Sequence, residues 1–225
     1  MRYHCLRIVM VATLVIFCLP ALAQLPIPGY NSHWRNKDGS EKFAIAFAGG
    51  WDVSHGNTRA YQTRGWNYLM ESGYNFNRHL AMLGEYSYNR FSDPNVVVNN
   101  GGSLPDVYEG PSHIWTLTVE PKYQYYATET IGAYVIGGGG FARKTAPELS
   151  CQGNLYSECV QNGVDTAVWN VGAGVAWKIS ENANVKAFLE VRYVNVLATG
   201  TTLEKQMIPL NMSASFTPVS LGFRW

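Results

Sequence analysis

A closed, membrane-spanning barrel of eight antiparallel strands in up-and-down order is the all-β fold class that this 225-residue sequence predicts. Three observations predict it. Eight stretches alternate apolar side chains with polar or small ones at a period of two, the pattern of strands whose two faces meet different solvents. The connections between them run long, short, long, short, long, short, long, as in a meander with tight turns at one end and large loops at the other. The last stretch sets Thr217, Val219, Leu221, Phe223 and Trp225 on one face against Ser220, Gly222 and Arg224 on the other. Such a comb, stopping at a final aromatic, is expected of a strand that pairs back onto the first and leaves no open edge.

The first residues predict the compartment. Arg2, His4 and Arg7 precede an apolar run from Ile8 to Leu19, and Pro20 with Ala21-Leu22-Ala23 makes a small-residue processing site before Gln24. Residues 1–23 are therefore expected to be a cleaved secretory signal rather than an anchor. Lipoprotein processing at Cys18 would need a small residue before it, and Phe17 is bulky. Losing Arg2 and Arg7 takes the formal net charge from +1 to −1, with 15 basic against 16 acidic residues. That balance argues against a nucleic-acid partner. Cys5 and Cys18 leave with the leader. Cys151 and Cys159 remain, eight positions apart in a polar stretch, and a local disulfide is the expected pairing in an oxidising compartment. Closing so short a loop contributes on the order of 2–3 kcal/mol. Two cysteines fall short of the four ligands that zinc normally takes, and nothing in the sequence brings His33 or His55 to them, so no metal and no cofactor is expected.

Residues 24–42 form an irregular lead-in to the periplasmic side, rich in Pro, Gly and Asn, with a short surface helix near Asn31 to Lys37 as the alternative; residues 43–225 form the barrel domain. The first strand, Phe43 to Asp52, alternates Phe43, Ile45, Phe47, Gly49 and Trp51 with small residues, which suits a narrow lumen. The second, Gly65 to Phe76, sets Trp66, Tyr68, Met70 and Tyr74 against Asn67, Leu69, Glu71 and Gly73; after a short return at Asn77-Arg78, the third sets Leu80, Met82, Tyr86 and Tyr88 against Ala81, Leu83, Glu85 and Asn89. A long excursion from Phe91 to Ser112, dense in Asn, Gly and Pro, reads as loop rather than sheet. The fourth strand, His113 to Tyr125, contains Pro121, which removes a ladder donor where a closed barrel has no free edge, and a bulge is expected there. The fifth, Ile131 to Ala142, carries Gly137 to Gly140; without a GKS/T element or a following helix, these glycines point to sheet curvature or close packing in the lumen rather than to a nucleotide loop. Thr166 to Lys178 supplies the sixth strand, Val185 to Val194 the seventh, and the eighth begins near Asn211.

With alternating strand direction, Trp51, Trp66, Tyr88, Trp115, Trp169 and Tyr193 fall near the outer ends, and Phe43, Tyr74, Tyr123, Trp177 and Phe223 near the inner ends, as two candidate aromatic girdles. The opposite faces carry Glu71, Glu85, Glu120, Lys122, Lys186, Glu190, Arg192 and Arg224. A lipid-facing Arg or Lys costs roughly 2–4 kcal/mol at the bilayer midplane, so these charges belong in the lumen, where four acids and four bases can compensate one another. The interior of an eight-stranded barrel is just wide enough for side chains to fill, so the set is read as an electrostatic plug, with a gated ion path through Glu190 and Arg192 as the alternative.

The terminal pattern Val219-Ser220-Leu221-Gly222-Phe223-Arg224-Trp225, with the strand pattern from Phe43 onward, resembles the small outer-membrane β-barrel family typified by the OmpA transmembrane domain and OmpX. The resemblance implies residence in the bacterial outer membrane, long loops outside and short turns in the periplasm. It also implies membrane lipids as surroundings and recognition of the C-terminal strand by the outer-membrane assembly machinery, here with Trp where Phe is more usual. It carries over no catalytic residue. The function expected is non-enzymatic, structural in the envelope or concerned with surface recognition of an extracellular ligand through the long loops. A small passive channel and a lipid-modifying enzyme are the alternatives. For the enzyme, the sequence offers Ser112-His113 with Glu109 nearby, but neighbours in a strand face opposite ways; no GxSxG or HExxH motif occurs, and His79 lies at a turn.

Overall fold

The computed structural model describes residues 34–60, 64–92, 96–98, 106–108, 112–145, 163–179, 185–198 and 213–225. Ten strands are described: β1 Phe43–His55, β2 Arg64–Asn75, β3 Leu80–Phe91, β4 Val96–Val98, β5 Asp106–Tyr108, β6 Ser112–Tyr126, β7 Ile131–Thr145, β8 Gly163–Lys178, β9 Lys186–Val196 and β10 Ala214–Arg224. Eight of them close in the order β1-β10-β9-β8-β7-β6-β3-β2, every pairing antiparallel. The last strand meets the first from Ala46 opposite Arg224 to His55 opposite Ser215. Trp225 extends this seam by exchanging backbone hydrogen bonds with Ile45, at 2.9 and 3.2 Å. Closure gives each of these eight strands two neighbours, so the barrel presents no free edge.

Side-chain direction follows the period of two. In β1, Phe43, Ile45, Trp51 and Val53 are exposed on the outside while Ala44, Ala46 and Asp52 are buried within, and the same alternation runs through the other barrel strands. Between the strand ends the outward positions of the barrel wall are aliphatic, aromatic, small or hydroxyl-bearing, with one carboxamide, Asn195, beside Trp169; the outward ionisable groups lie at the ends of the strands.

The lumen is filled in layers. Ala44, Ala46, Leu69, Ala81, Leu83, Tyr134, Ile136, Ala176 and Phe188 form one apolar cluster. A second, at the end of the long connections, joins Phe91, Ile114, Ala142, Val168, Val194, Val196, Ala214 and Phe216, with the Phe91 and Phe216 rings edge to face at 5.1 Å. These side chains pack hydrocarbon into the interior at that end.

Several local expectations are corrected. Pro121 needs no bulge: β6 pairs with β7 in one register on both sides of it, Val119 opposite Gly139 and Lys122 opposite Ile136, and only the intervening pairs are missing. The ladder to β3 stays continuous through Met82 opposite Pro121. Proline lacks one N–H, so losing the bonds on one side suffices and no residue has to be inserted. Pro218 repeats the solution, with β10 paired to β1 at Asp52 and interrupted toward β9 between Phe216 and Val219. The excursion after Phe91 contains a separate two-stranded ribbon, β4 with β5, where only loop was expected. β7 and β8 are longer than predicted and pair out to Thr145 opposite Gly163; β10 is described from Ala214, and the expected start at Asn211 lies outside the described residues.

The short returns are built as the sequence suggests. Phe76 and Asn77 both donate to the Leu80 carbonyl, at 2.9 and 3.4 Å, and Ala127 and Thr128 both donate to that of Ile131, at 3.1 Å. From Trp34 the lead-in makes a tight turn with a bridge between Arg35 and Glu41, and Gly39 takes φ 82°, a conformation that a side chain would strain. Asp38 Oδ2 accepts from the Arg78 backbone N–H at 2.6 Å and Asn36 Nδ2 donates to the Asn75 carbonyl at 2.8 Å, tying this turn to the β2–β3 return. Residues 1–33, the Cys151 and Cys159 pair, Glu109, the turn at 180–184 and the connection 199–212 lie outside the described residues.

Candidate functional site: the charged centre of the lumen

Arg192, on β9, organises the interior. Its Nη2 donates to Glu71 Oε1 at 2.7 Å, its Nη1 to both oxygens of Glu120 at 2.8 Å, and its Nε to Glu190. Glu85 Oε2 lies 2.6 Å from Nη1 as an ion pair whose angle does not make a hydrogen bond. Arg224 binds the other oxygen of Glu71 through Nη2. Carboxylates from β2, β3, β6 and β9 thus converge on one guanidinium. Register explains the need for it: Glu71 and Glu85 stand directly opposite each other on β2 and β3, a like-charge pair that is unfavourable unless a cation lies between them. The planar fork of Arg, with five donors, serves several carboxylates at once in a way that the point charge of Lys does not.

Polar neighbours complete the cluster. Tyr134 Oη donates to Glu190 Oε2 at 2.7 Å, Thr118 Oγ1 to Glu120 Oε1 at 2.7 Å, and Asn170 Nδ2 to the same oxygen. The wall opposite is cut back to make room. A Cβ on Gly172 would stand 2.6 Å from Arg192 Cγ and 2.8 Å from the Val191 carbonyl oxygen, and one on Gly138 would overlap the Val119 carbonyl oxygen and stand 2.8 Å from Glu120 Cγ. Close packing against both the neighbouring backbone and the charged side chains is therefore what these glycines provide.

The predicted set of eight divides. Glu71, Glu85, Glu120, Glu190, Arg192 and Arg224 are brought into one ion-paired group. Lys122 and Lys186 are not ion-paired among the described residues; they lie toward the end with short turns, Lys122 Nζ 4.2 Å from the Tyr134 ring centroid and Lys186 Nζ 5.1 Å from that of Tyr126. Cation–π contact replaces the carboxylate partner at Lys122, and Lys186 also donates to Tyr126 Oη at 3.3 Å. Arg224 is likewise held over Phe188 and Tyr134, at 4.7 and 5.0 Å.

Sequence reasoning did not single out Tyr134, Asn170 or the cluster around Phe91 and Phe216. Tyr134 and Asn170 were legible as inward positions of their strands, but Phe91 read as the start of a loop.

The cluster can hold charge and block the bore. Oxygens of Glu71, Glu85 and Glu120 lie within 4.8 Å of one another, a spacing that also suits a metal ion, but the Arg192 guanidinium already supplies the positive charge there. Among the described residues, Ser112 and His113 do not form a hydrolase pair. Ser112 is buried on the inward face, whereas the adjacent His113 is directed outward with Nδ1 2.7 Å from Tyr88 Oη. His79 is engaged at the short-turn end, its Nδ1 2.9 Å from the Gln124 carbonyl and its ring stacked on Tyr123.

The aromatic residues of both predicted bands lie outside. Trp51, Trp66, Trp169 and Tyr193 are exposed toward the long connections, with Tyr88 and Trp115 half-buried against neighbouring rings, and Phe43, Tyr74, Tyr123, Trp177 and Phe223 are exposed toward the short turns. Trp51 and Trp66 face each other across β1 and β2, and Tyr88 and Trp115 across β3 and β6.

Comparison with known proteins agrees with this architecture. Neisserial surface protein A superimposes with a TM-score of 0.53 at 13% identity, covering 81% of this chain and 95% of that one. Ail, the attachment invasion locus protein of Yersinia pestis, gives 0.49 at 13% identity, covering 83% and 100%. The N-terminal β-barrel domain of Pseudomonas aeruginosa OprF gives 0.42 at 17% identity, covering 82% and 98%. At 13% identity the likeness to Neisserial surface protein A is one of fold. Among curated proteins no sequence matches significantly. The family model for the outer membrane protein beta-barrel domain matches residues 9–216, and with its closed eight-stranded sheet the chain belongs to that family of bacterial outer-membrane proteins.

Proposed function

We propose that this protein is a non-enzymatic, non-conducting outer-membrane barrel whose work is done by its long connections, in envelope structure or in recognition of an extracellular ligand. The observation that carries this reading is an interior filled with ion-paired and apolar side chains. Arg192 and its four carboxylates cross the middle of the bore, and the layer around Phe91 and Phe216 fills the end beyond them. An interior of this kind stabilises a rigid scaffold and offers no wet path. The β3–β6 connection has a sheet of its own, β4 with β5, which gives that connection an ordered element for binding.

In this reading the long connections face outside and the short turns face the periplasm, with Trp51, Trp66, Tyr88, Trp115, Trp169 and Tyr193 at one membrane interface and Phe43, Tyr74, Tyr123, Trp177 and Phe223 at the other. Residues 1–23 are removed on export, residues 24–42 are the periplasmic lead-in, Cys151 and Cys159 form a disulfide across the β7–β8 connection, and the assembly machinery recognises the outward comb of β10.

Purified protein in a planar bilayer tests the central claim: the expected trace shows no stable openings. Steady, voltage-independent conductance that Arg192→Met abolishes or enlarges would refute it and favour a channel. Protease shaving of intact cells tests the orientation, with cuts expected in the long connections alone.

A further inference from the structure

Outward-facing charge on this barrel is unevenly placed. At the long-connection end, Arg64 on β2, Arg90 on β3 and Arg143 on β7 all point outward and are exposed, with His113 of β6 between the last two. These four strands are consecutive around the barrel. Arg90 stands directly opposite His113, and Arg143 directly opposite Trp115, so the cationic groups lie within one or two side-chain spacings of each other. The outward positions at the same end of β8, β9 and β10 carry no basic residue; β8 offers Asp165, which lies 3.7 Å from Arg143 in a solvent-exposed pair. Among the described residues Arg64 and Arg90 have no acidic partner within ion-pair distance.

Directly below these cations, on the same strands, is a continuous aromatic surface. Trp66 contacts Tyr88 at 5.9 Å, Tyr88 stacks on His113 at 5.5 Å, Tyr86 meets Trp115 at 6.3 Å, and Trp115 meets Phe141 at 5.4 Å. The Tyr88 hydroxyl engages His113 Nδ1, which fixes the imidazole in the row. A molecule complementary to both features carries phosphate at the level of the arginines and hydrocarbon at the level of the rings. Arginine forks bind phosphate oxygens in pairs, and flat rings at the interface pack against acyl chains.

We propose that the outward row Arg64, Arg90, His113 and Arg143, above the Trp66–Phe141 aromatic surface, is a binding site for the phosphate-bearing headgroup of a membrane lipid. Its assignment to the outer leaflet rests on the orientation proposed above. The site lies on one side of the barrel and is separate from the charged lumen.

The test uses full-length folded protein in detergent, equilibrated with bisphosphorylated lipid A, with its monophosphorylated form or with phosphatidylethanolamine, and native mass spectrometry to count retained lipid. Retention is expected to rank bisphosphorylated, monophosphorylated, then zwitterionic. The double variant Arg90→Gln with Arg143→Gln is expected to lose roughly tenfold in apparent affinity for the bisphosphorylated lipid, from two exposed charge contacts. Lys178→Gln, an exposed cation at the other end of the barrel, is expected to leave it unchanged. Heat-modifiable gel migration establishes that each variant is folded. Equal retention of all three lipids, unchanged retention in the double variant, an equal loss in Lys178→Gln, or displacement of the lipid by millimolar inorganic phosphate would each overturn the proposal. Maleimide labelling of Thr145→Cys in intact cells reports orientation separately; absence of labelling with lipid selectivity intact would reject the orientation while supporting the phosphate site.

Discussion

Arg192→Met removes the cation on which the interior converges while keeping much of the side chain's length. In the native protein the guanidinium donates to Glu71, Glu120 and Glu190 and forms an ion pair with Glu85, all of them buried. Summing charge-assisted hydrogen bonds at roughly 1.5–3 kcal/mol each would overstate the effect, since burying the ions costs much of that amount. The relevant quantity is the penalty for stranding buried charge, about 3–5 kcal/mol when one partner of a buried pair is removed. That corresponds to roughly a hundred- to several-thousand-fold in the unfolding equilibrium. Urea unfolding of the barrel in lipid vesicles, followed by tryptophan fluorescence and heat-modifiable migration, measures it. Adding Glu85→Gln should recover part of the loss, with a coupling on the order of 0.5–3 kcal/mol in the double-mutant cycle. A cost for Arg192→Met below about 1 kcal/mol, or a coupling of zero, would refute the view that Arg192 holds the carboxylates together.

Two further outcomes test the outside and the lead-in. Leu221, outward and opposite Gly49 near the middle of β1, should cost about 2–4 kcal/mol when replaced by arginine, measured by the same unfolding assay in vesicles; a neutral result would mean that this face does not meet hydrocarbon. Hydrogen bonds from the Ser40 hydroxyl, the Ser40 backbone and the Arg78 backbone hold the Asp38 carboxyl at about 2, below its ordinary 3.8, so its hold on the β2–β3 return is complete above pH 3.8 and lost as pH falls through about 2. Amide exchange at Arg78 should rise over that interval with the barrel still folded, and Asp38→Ala should show the faster exchange at every pH; a transition centred at or above 3.8 would refute the assignment.

Much of the fold was legible because the period of a strand fixes which face a side chain takes. Glu71, Leu83, Glu120 and Arg192 could be placed inside, and Trp51, Val119 and Leu221 outside, from alternation alone. Position along the barrel axis was less legible. Alternation does not say that Arg192 stands at the level of Glu71, from which it is separated by 121 positions, or that Lys122 and Lys186 lie among tyrosine rings below it. The prolines show the same limit. Pro121 and Pro218 were obstacles only until the register showed which side of each strand could do without its hydrogen bonds.

The sequence by itself determined the number of barrel strands, their two faces and the segregation of charge from the outer wall, because these follow from a local repeat and from the cost of placing ions in hydrocarbon. Only the tertiary structure decided that four carboxylates share one guanidinium, that Phe91 and Phe216 meet edge to face within one apolar cluster, and that outward arginines gather on one side. These depend on strand register and closure, which set the heights at which distant residues meet; no segment read alone contains that information.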